Sequence, residues 1–304
     1  MPKAEEVTYN IRRDRPMDKK SRQSLLEIHA ATALFGLAGL FGKWIALSPL
    51  LIVLGRVFFA SLALGAILLA MKQSLRALLR ETQFLIIILG AILATHWVAF
   101  FRSIQVSSVA VGLLSYSCFP VFTVLLEPVF FQERRDRISL ILAVFCLSGV
   151  FLIVPRFDPA DVVYQGVLWG LFSGLTFAVL ALFNRRLSQK HSSLAIAFLE
   201  DLLATLFLCP FFFIYRTPLT AKNLFLLIIL GIICTAFSHT LFIKGMRFVR
   251  AQTASIISSL EPVYGIVLAF FLLREVPGFK TLLGGVIILA SVILVSIREG
   301  ARKN

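Results

Sequence analysis

Acidic residues are scarce in this chain: 16 Asp and Glu stand against 30 Lys and Arg, and charged residues of both signs fill only 15% of its 304 positions. A soluble domain carries about 25% charged residues, so this one is short of the groups that would cover a water-facing surface. Cysteine is equally sparse. Cys118, Cys146, Cys209 and Cys234 lie in apolar stretches without CxxC spacing, which excludes a disulfide framework or zinc site and leaves them as small core residues. Catalytic signatures are missing too: there is no HExxH, no Gly-x-Ser-x-Gly and no paired-carboxylate loop of any size outside the apolar segments. Gly36 to Lys43 imitates a phosphate loop, but the glycine spacing is wrong and Trp44 replaces the required Ser or Thr. The expectation is therefore a non-enzyme with no cofactor and no metal, and with no segment able to hydrolyse ATP.

What is present is apolar length. Hydrophobic residues make up 59% of the chain and the mean hydropathy is +0.90. From Ala30 to Ile297 apolar stretches follow one another, each able at about 1.5 Å per residue to cross a hydrocarbon layer of about 30 Å as a helix. They fall at 29–47, 50–70, 84–103, 107–131, 138–154, 165–184, 194–215, 224–243, 252–273 and 278–297. This predicts an all-α integral membrane fold of ten transmembrane helices. Ala46-Leu47-Ser48 weakly resembles a signal-peptidase site, but Pro49 follows it and Lys43 interrupts the apolar run before it, so the first span is expected to be retained.

A net charge of +14 would suggest nucleic acid in a soluble protein. Here the basic residues sit in alternate loops. With a cytoplasmic N-terminus, 22 Lys and Arg fall on the cytoplasmic side, beginning with the tail from Lys3 to Arg22, and 6 fall opposite. That bias predicts a multi-pass inner-membrane protein with both termini cytoplasmic, a partner in the lipid bilayer and none in nucleic acid. The organisation reads as a basic tail 1–28, repeats over 29–157 and 162–297, and a tail 298–304.

The two halves match at a shift of about 142 residues. Phe119-Pro120-Val121 falls on Glu261-Pro262-Val263, and Glu133 and Glu275 each follow their proline by thirteen residues. Leu140, Val144, Leu147, Val150 and Leu152 fall on Leu282, Val286, Leu289, Val292 and Leu294. Five spans per copy is an odd number, so the second enters the membrane from the opposite side. Two inverted five-helix repeats around a midplane site are the scaffold of alternating-access carriers.

At these residues the chain resembles the EamA family of the drug/metabolite transporter superfamily. The resemblance rests on Arg56, on His96-Trp97-Val98-Ala99-Phe100-Phe101, on Ser107-Ser108-Val109-Ala110, on Pro120 with Glu133, and on Leu260-Glu261-Pro262-Val263 with Arg274-Glu275. It implies ten helices, cytoplasmic termini, and export of amino acids or related metabolites in many members, with import in some. Phe119, standing where the second repeat has Glu261, and the extra Glu127-Pro128 depart from the pattern.

Ionisable groups inside a span are costly and mark candidate sites. Glu261, before the helix-distorting Pro262, reads as a site for a substrate ammonium or proton, or as an ion-pair partner of Arg56. Arg56 suits a carboxylate equally well as a structural partner. His96 could relay protons or simply pack, and His239 likewise. Glu200-Asp201 could serve transport or simply reach the head groups at the end of the seventh span. Tyr116, Phe119, Phe100 and Tyr264 are candidate aromatic walls, Lys43 lies on a polar stripe of the first span, and Pro120 and Pro262 are candidate kinks or gates. The leading expectation is secondary export of an amino acid or a relative, with protons a candidate coupling ion, as monomer or dimer. Import of a nucleotide-like or cofactor-like nutrient is the alternative, and a non-transporting scaffold or lipid-handling protein a further one.

Overall fold

The computed structural model describes residues 19–131, 137–154, 156–215, 217–248, 254 and 257–302. Among the described residues all regular structure is helical. The elements are α1 (Lys19–Trp44), α2 (Pro49–Ala70), α3 (Arg76–Val106), α4 (Val109–Tyr116), α5 (Phe119–Phe131), α6 (Arg137–Ile153), α7 (Val162–Ser188) and α8 (Ser193–Ile214). They continue with α9 (Ala221–Gly231), a π-helical segment Ile232–Phe237, α10 (Ser238–Gly245), α11 (Glu261–Leu273) and α12 (Phe279–Arg302).

Among the described residues seven stretches are long and apolar enough to cross a membrane: Arg22–Trp44, Pro49–Ala70, Arg76–Val106, Val109–Leu126, Val162–Ser188, Ser193–Ile214 and Ala221–Gly245. Ile141–Ile153, Glu261–Leu273 and Phe279–Leu294 are apolar but shorter. The outer surface is built for lipid: Phe271, Phe213 and Val286 are 72%, 71% and 64% exposed, and exposed apolar surface on this scale needs an apolar surrounding.

Local chemistry starts several helices. Ser48 caps α2, its Oγ accepting from the Leu51 amide, with Pro49 at the first helical position where its missing N–H costs nothing. Asp161 caps α7 by accepting from the amides of Val163 and Tyr164 at 2.8 and 3.0 Å.

Both repeat prolines mark breaks rather than kinks. The fourth expected span stops at Tyr116, turns through Ser117 and Cys118, and restarts as α5 with Pro120 second. The ninth turns through Ser259 and Leu260 and restarts as α11 with Pro262 second. The two interruptions are offset by the same 142 residues as the sequence match. A proline in the first turn of the restarted helix is unstrained, whereas a continuous helix through it would lose a hydrogen bond and meet the ring.

The helix neighbours also correspond under that offset. α1 packs on α10 and α11, as α7 packs on α3 and on α4 with α5, while α2 packs on α8 and α6 on α12. Glycine permits the closest approaches at the breaks. A Cβ on Gly36 of α1 would lie 2.9 Å from the Glu261 carbonyl oxygen, and one on Gly174 of α7 would lie 2.7 Å from the Tyr116 carbonyl oxygen.

Candidate functional site

The two breaks meet at a small cavity of about 30 Å³, room for little more than one water. Arg56 from α2, His96, Trp97 and Phe100 from α3, Tyr116 from α4 and Glu261 from α11 line it. Phe35 and Ala38 from α1, Leu93 from α3, Phe177 from α7 and His239 from α10 complete its walls.

Arg56 is 2% exposed and fixed on three sides. Its Nε donates to Thr235 Oγ1 at 3.0 Å and its Nη2 to the Cys234 carbonyl at 3.4 Å. Its guanidinium carbon lies 3.7 Å from the Trp97 ring centroid, a cation–π geometry. The π segment makes this possible. One extra residue in the turn lets the Thr235 hydroxyl donate to the Leu230 carbonyl five residues back, at 2.7 Å, while its oxygen accepts from Arg56.

Glu261 is also buried, at 3% exposure. Among the described residues its carboxylate has no hydrogen-bond partner, and no ion pair within 4.0 Å joins it to Arg56. In this conformation the guanidinium is held by Thr235, Cys234 and Trp97. The cavity faces a cation with donors to spare and an unengaged carboxylate.

His96 lines the same space but is tied into packing. Its Nδ1 lies 2.9 Å from both the Ser173 carbonyl and Ser173 Oγ, and Ser173 Oγ donates to the His96 carbonyl at 3.1 Å. A carbonyl only accepts, so the ring proton is on Nδ1 and Nε2 is the acceptor. Tyr116 stacks on Phe119 at 5.4 Å and meets Phe100 edge-on at 5.4 Å. Phe119 itself stands behind Tyr116 and lines a second cavity of about 20 Å³ with Thr123, Arg185, Phe242 and Met246.

Two sequence candidates lie elsewhere. Lys43 Nζ donates to the Ser107 carbonyl at 2.9 Å at the far end of α1, and Tyr264 packs against Gly36 at the α1–α11 contact. Lys43 belongs to a polar closure on that face of the bundle. Gln105 Nε2 donates to the Gly42 and Leu47 carbonyls at 3.3 and 2.9 Å, and the Ala110 amide donates to Glu275 Oε1 at 3.3 Å. Glu275 of the second repeat therefore sits at the amide end of α4 in the first, where a carboxylate is favoured. Glu133, and the side chains of Glu127 and Pro128, lie outside the described residues.

Glu200 and Asp201 need a correction. Both are 0% exposed and do not reach a head-group region, because α2, α3, α7 and α10 all pack on α8. Sequence reasoning did not select Trp97 as a site residue, although its spacing of four from Phe101 puts both on the face that meets Arg56. Phe177 carried no signal among 29 phenylalanines.

The model of the EamA-like transporter family matches residues 24–154 and again 164–297. The chain belongs to that family. Its membrane-crossing helices and this membership make it an integral membrane protein of transporter type, in two EamA repeats. It is 27% identical over 296 residues to the uncharacterized transporter YxxF of Bacillus subtilis, covering 94% of this chain and 93% of that one. It is 26% identical over 243 residues to the pseudopaline exporter CntI of Pseudomonas aeruginosa, covering 79% and 84%. A protein of known crystal structure shares the fold with a TM-score of 0.66 at 17% identity, over 92% of this chain and 98% of that one.

Proposed function

We propose that this EamA transporter is a secondary exporter of an amino acid or a closely related metabolite, working by alternating access of two inverted five-helix repeats in the inner membrane. The carrying observation is the pairing of Arg56, pinned with donors unused, and Glu261, without a hydrogen-bond partner, across one aromatic-walled cavity. A zwitterion offers the complement: a carboxylate for the guanidinium fork and an ammonium for Glu261. His96, Tyr116 and Phe100 shape the walls.

The inverted ten-span topology is supported by the odd number of spans per repeat, the equal offset of the two breaks and the matched helix neighbours. The distribution of Lys and Arg supports cytoplasmic termini, and in that orientation the Lys43–Ser107 and Glu275–Ala110 closure faces the outer side. Export follows the CntI relative in direction only. At about 30 Å³ the cavity is too small for an amino acid, so loading requires one side to open, as alternating access demands.

The test is counterflow in proteoliposomes with a panel of labelled amino acids. Saturable exchange of at least one compound, lost in Glu261→Gln while the protein still purifies folded, is the expected result. Absence of saturable exchange across the panel, or exchange untouched by Glu261→Gln, overturns the reading.

A further inference from the structure

The transport reading leaves a buried cluster of ionisable groups unused. Glu200 and Asp201 on α8 are both 0% exposed, Asn184 on α7 is 2% and His239 on α10 is 3%. Asn184 Nδ2 donates to Glu200 Oε2 at 3.2 Å, and His239 Nε2 lies 3.5 Å from the same oxygen. Around these two contacts, among the described residues, Glu200 Oε1, both Asp201 carboxylate oxygens, Asn184 Oδ1 and His239 Nδ1 have no hydrogen-bond partner. Asn184 is held by its amide nitrogen on Glu200 while its oxygen, buried in the same place, has no donor.

With one donor, Asn184 Nδ2, in contact with Glu200 and none in contact with the Asp201 carboxylate among the described residues, the two adjacent groups are not stable as two buried anions. The groups that face them come from every packed helix. α2 brings Arg56, whose described bonds go to Thr235 and Cys234; α3 packs Gly90 on the Glu200 backbone and carries His96; α7 brings Asn184; α10 brings His239 and Thr240. Among the described residues no three His, Cys, Asp or Glu converge as a metal site, and the cation that a lone buried carboxyl beside a histidine takes up most simply is a proton. His239 also lines the Glu261 cavity, and its ring meets the Trp97 indole, which also carries Arg56, in a T-shaped pair with centroids 5.8 Å apart.

We infer that Glu200, with Asp201 beside it and His239 as its link to the cavity, binds the proton that drives transport, at a site separate from the Glu261 contact. The inference rests on the secondary-transport reading and adds its coupling ion. The proton arrives from cavity water on His239, passes to the Glu200 carboxylate and leaves to the opposite side after the repeats exchange positions. One proton is bound and one released per cycle, with only N–H and O–H bonds made and broken.

Two measurements test it. In proteoliposomes, a gradient of about one pH unit supports about tenfold accumulation of a labelled amino acid when one proton moves per molecule. The wild type is expected to accumulate under one sign of gradient. Glu200→Gln is expected to lose that accumulation yet keep counterflow, and His239→Gln to displace its pH dependence. Independently of any substrate, pH-difference infrared spectra of the purified protein in lipid nanodiscs are expected to show a carboxylic-acid band that Glu200→Gln removes and Glu261→Gln leaves. Gradient-driven accumulation surviving in Glu200→Gln, or a band insensitive to that change, overturns the inference. Loss of all counterflow in the wild type counts instead against the transport reading, and the infrared result then decides the proton site alone.

Discussion

Arg56 shows how one intramembrane charge is made tolerable. The Thr235 hydroxyl, the Cys234 carbonyl and the Trp97 face replace part of the water it gives up, and the flat guanidinium suits all three at once. A lysine ammonium cannot bridge Thr235 and Cys234 while lying flat on an indole. Arg56→Lys should therefore lose hydrogen bonds to a charged group worth about 1.5–3 kcal/mol each. In counterflow this corresponds to a decrease of about tenfold or more. Trp97→Leu should produce a smaller fall and a lower melting temperature, since a desolvated cation–π contact contributes about 2 kcal/mol. Equal activity in Arg56→Lys and wild type would remove Arg56 from the proposed binding pair. The sequence exposed Arg56 and Glu261 because charge inside a span is rare. It could not show that they do not touch: Arg56's partners come from a π turn with no recognised sequence signal. Lys43, read from sequence as one member of a polar stripe, is exposed and bonded to the Ser107 carbonyl, a partner far along the chain that the stripe does not name.

At the scale of elements, the paired breaks are the decisive feature, and the sequence located them through Pro120 and Pro262. Their form was less legible. A proline predicts a local disturbance, while a full stop with a two-residue turn depends on the neighbouring helix pressing a glycine against the exposed backbone. Gly36→Ala tests that contact. Its Cβ would meet the Glu261 carbonyl and Gly265 amide at 2.9 and 3.0 Å, both backbone atoms that cannot rotate away. Overpacking of this kind costs about 1–3 kcal/mol, so a lower melting temperature and weaker counterflow are expected. Gly278→Ala, where an added Cβ meets nothing within 4 Å, should match wild type in both. A neutral Gly36→Ala would show that α1 and α11 do not depend on this approach.

For the whole molecule, the two closures differ in chemistry. The face carrying Lys43 and Glu275 is shut by polar contacts to backbone. Between the main cavity and the second one, the barrier is aromatic. Phe35 touches Phe242 at 5.7 Å, Phe242 touches Phe177 at 5.9 Å, and Phe177 touches Phe119 at 4.9 Å. The second cavity is lined by Arg185 and Met246, which lie in the cytoplasmic half in the proposed orientation. Phe177 is the common member, in contact also with Tyr116 and His96. Phe177→Ala should thus join the two cavities and open a cytoplasmic path, leaving the polar outer closure intact. A cysteine placed at Ala38, which lines the main cavity, in a chain whose four native cysteines are replaced by alanine, provides the reading. With Phe177→Ala, a thiol reagent added from the cytoplasmic side should label it faster, while labelling from the outer side stays unchanged. Faster labelling from the outer side alone would reverse the assigned orientation, and no change from either side would mean that Phe177 is wall rather than gate.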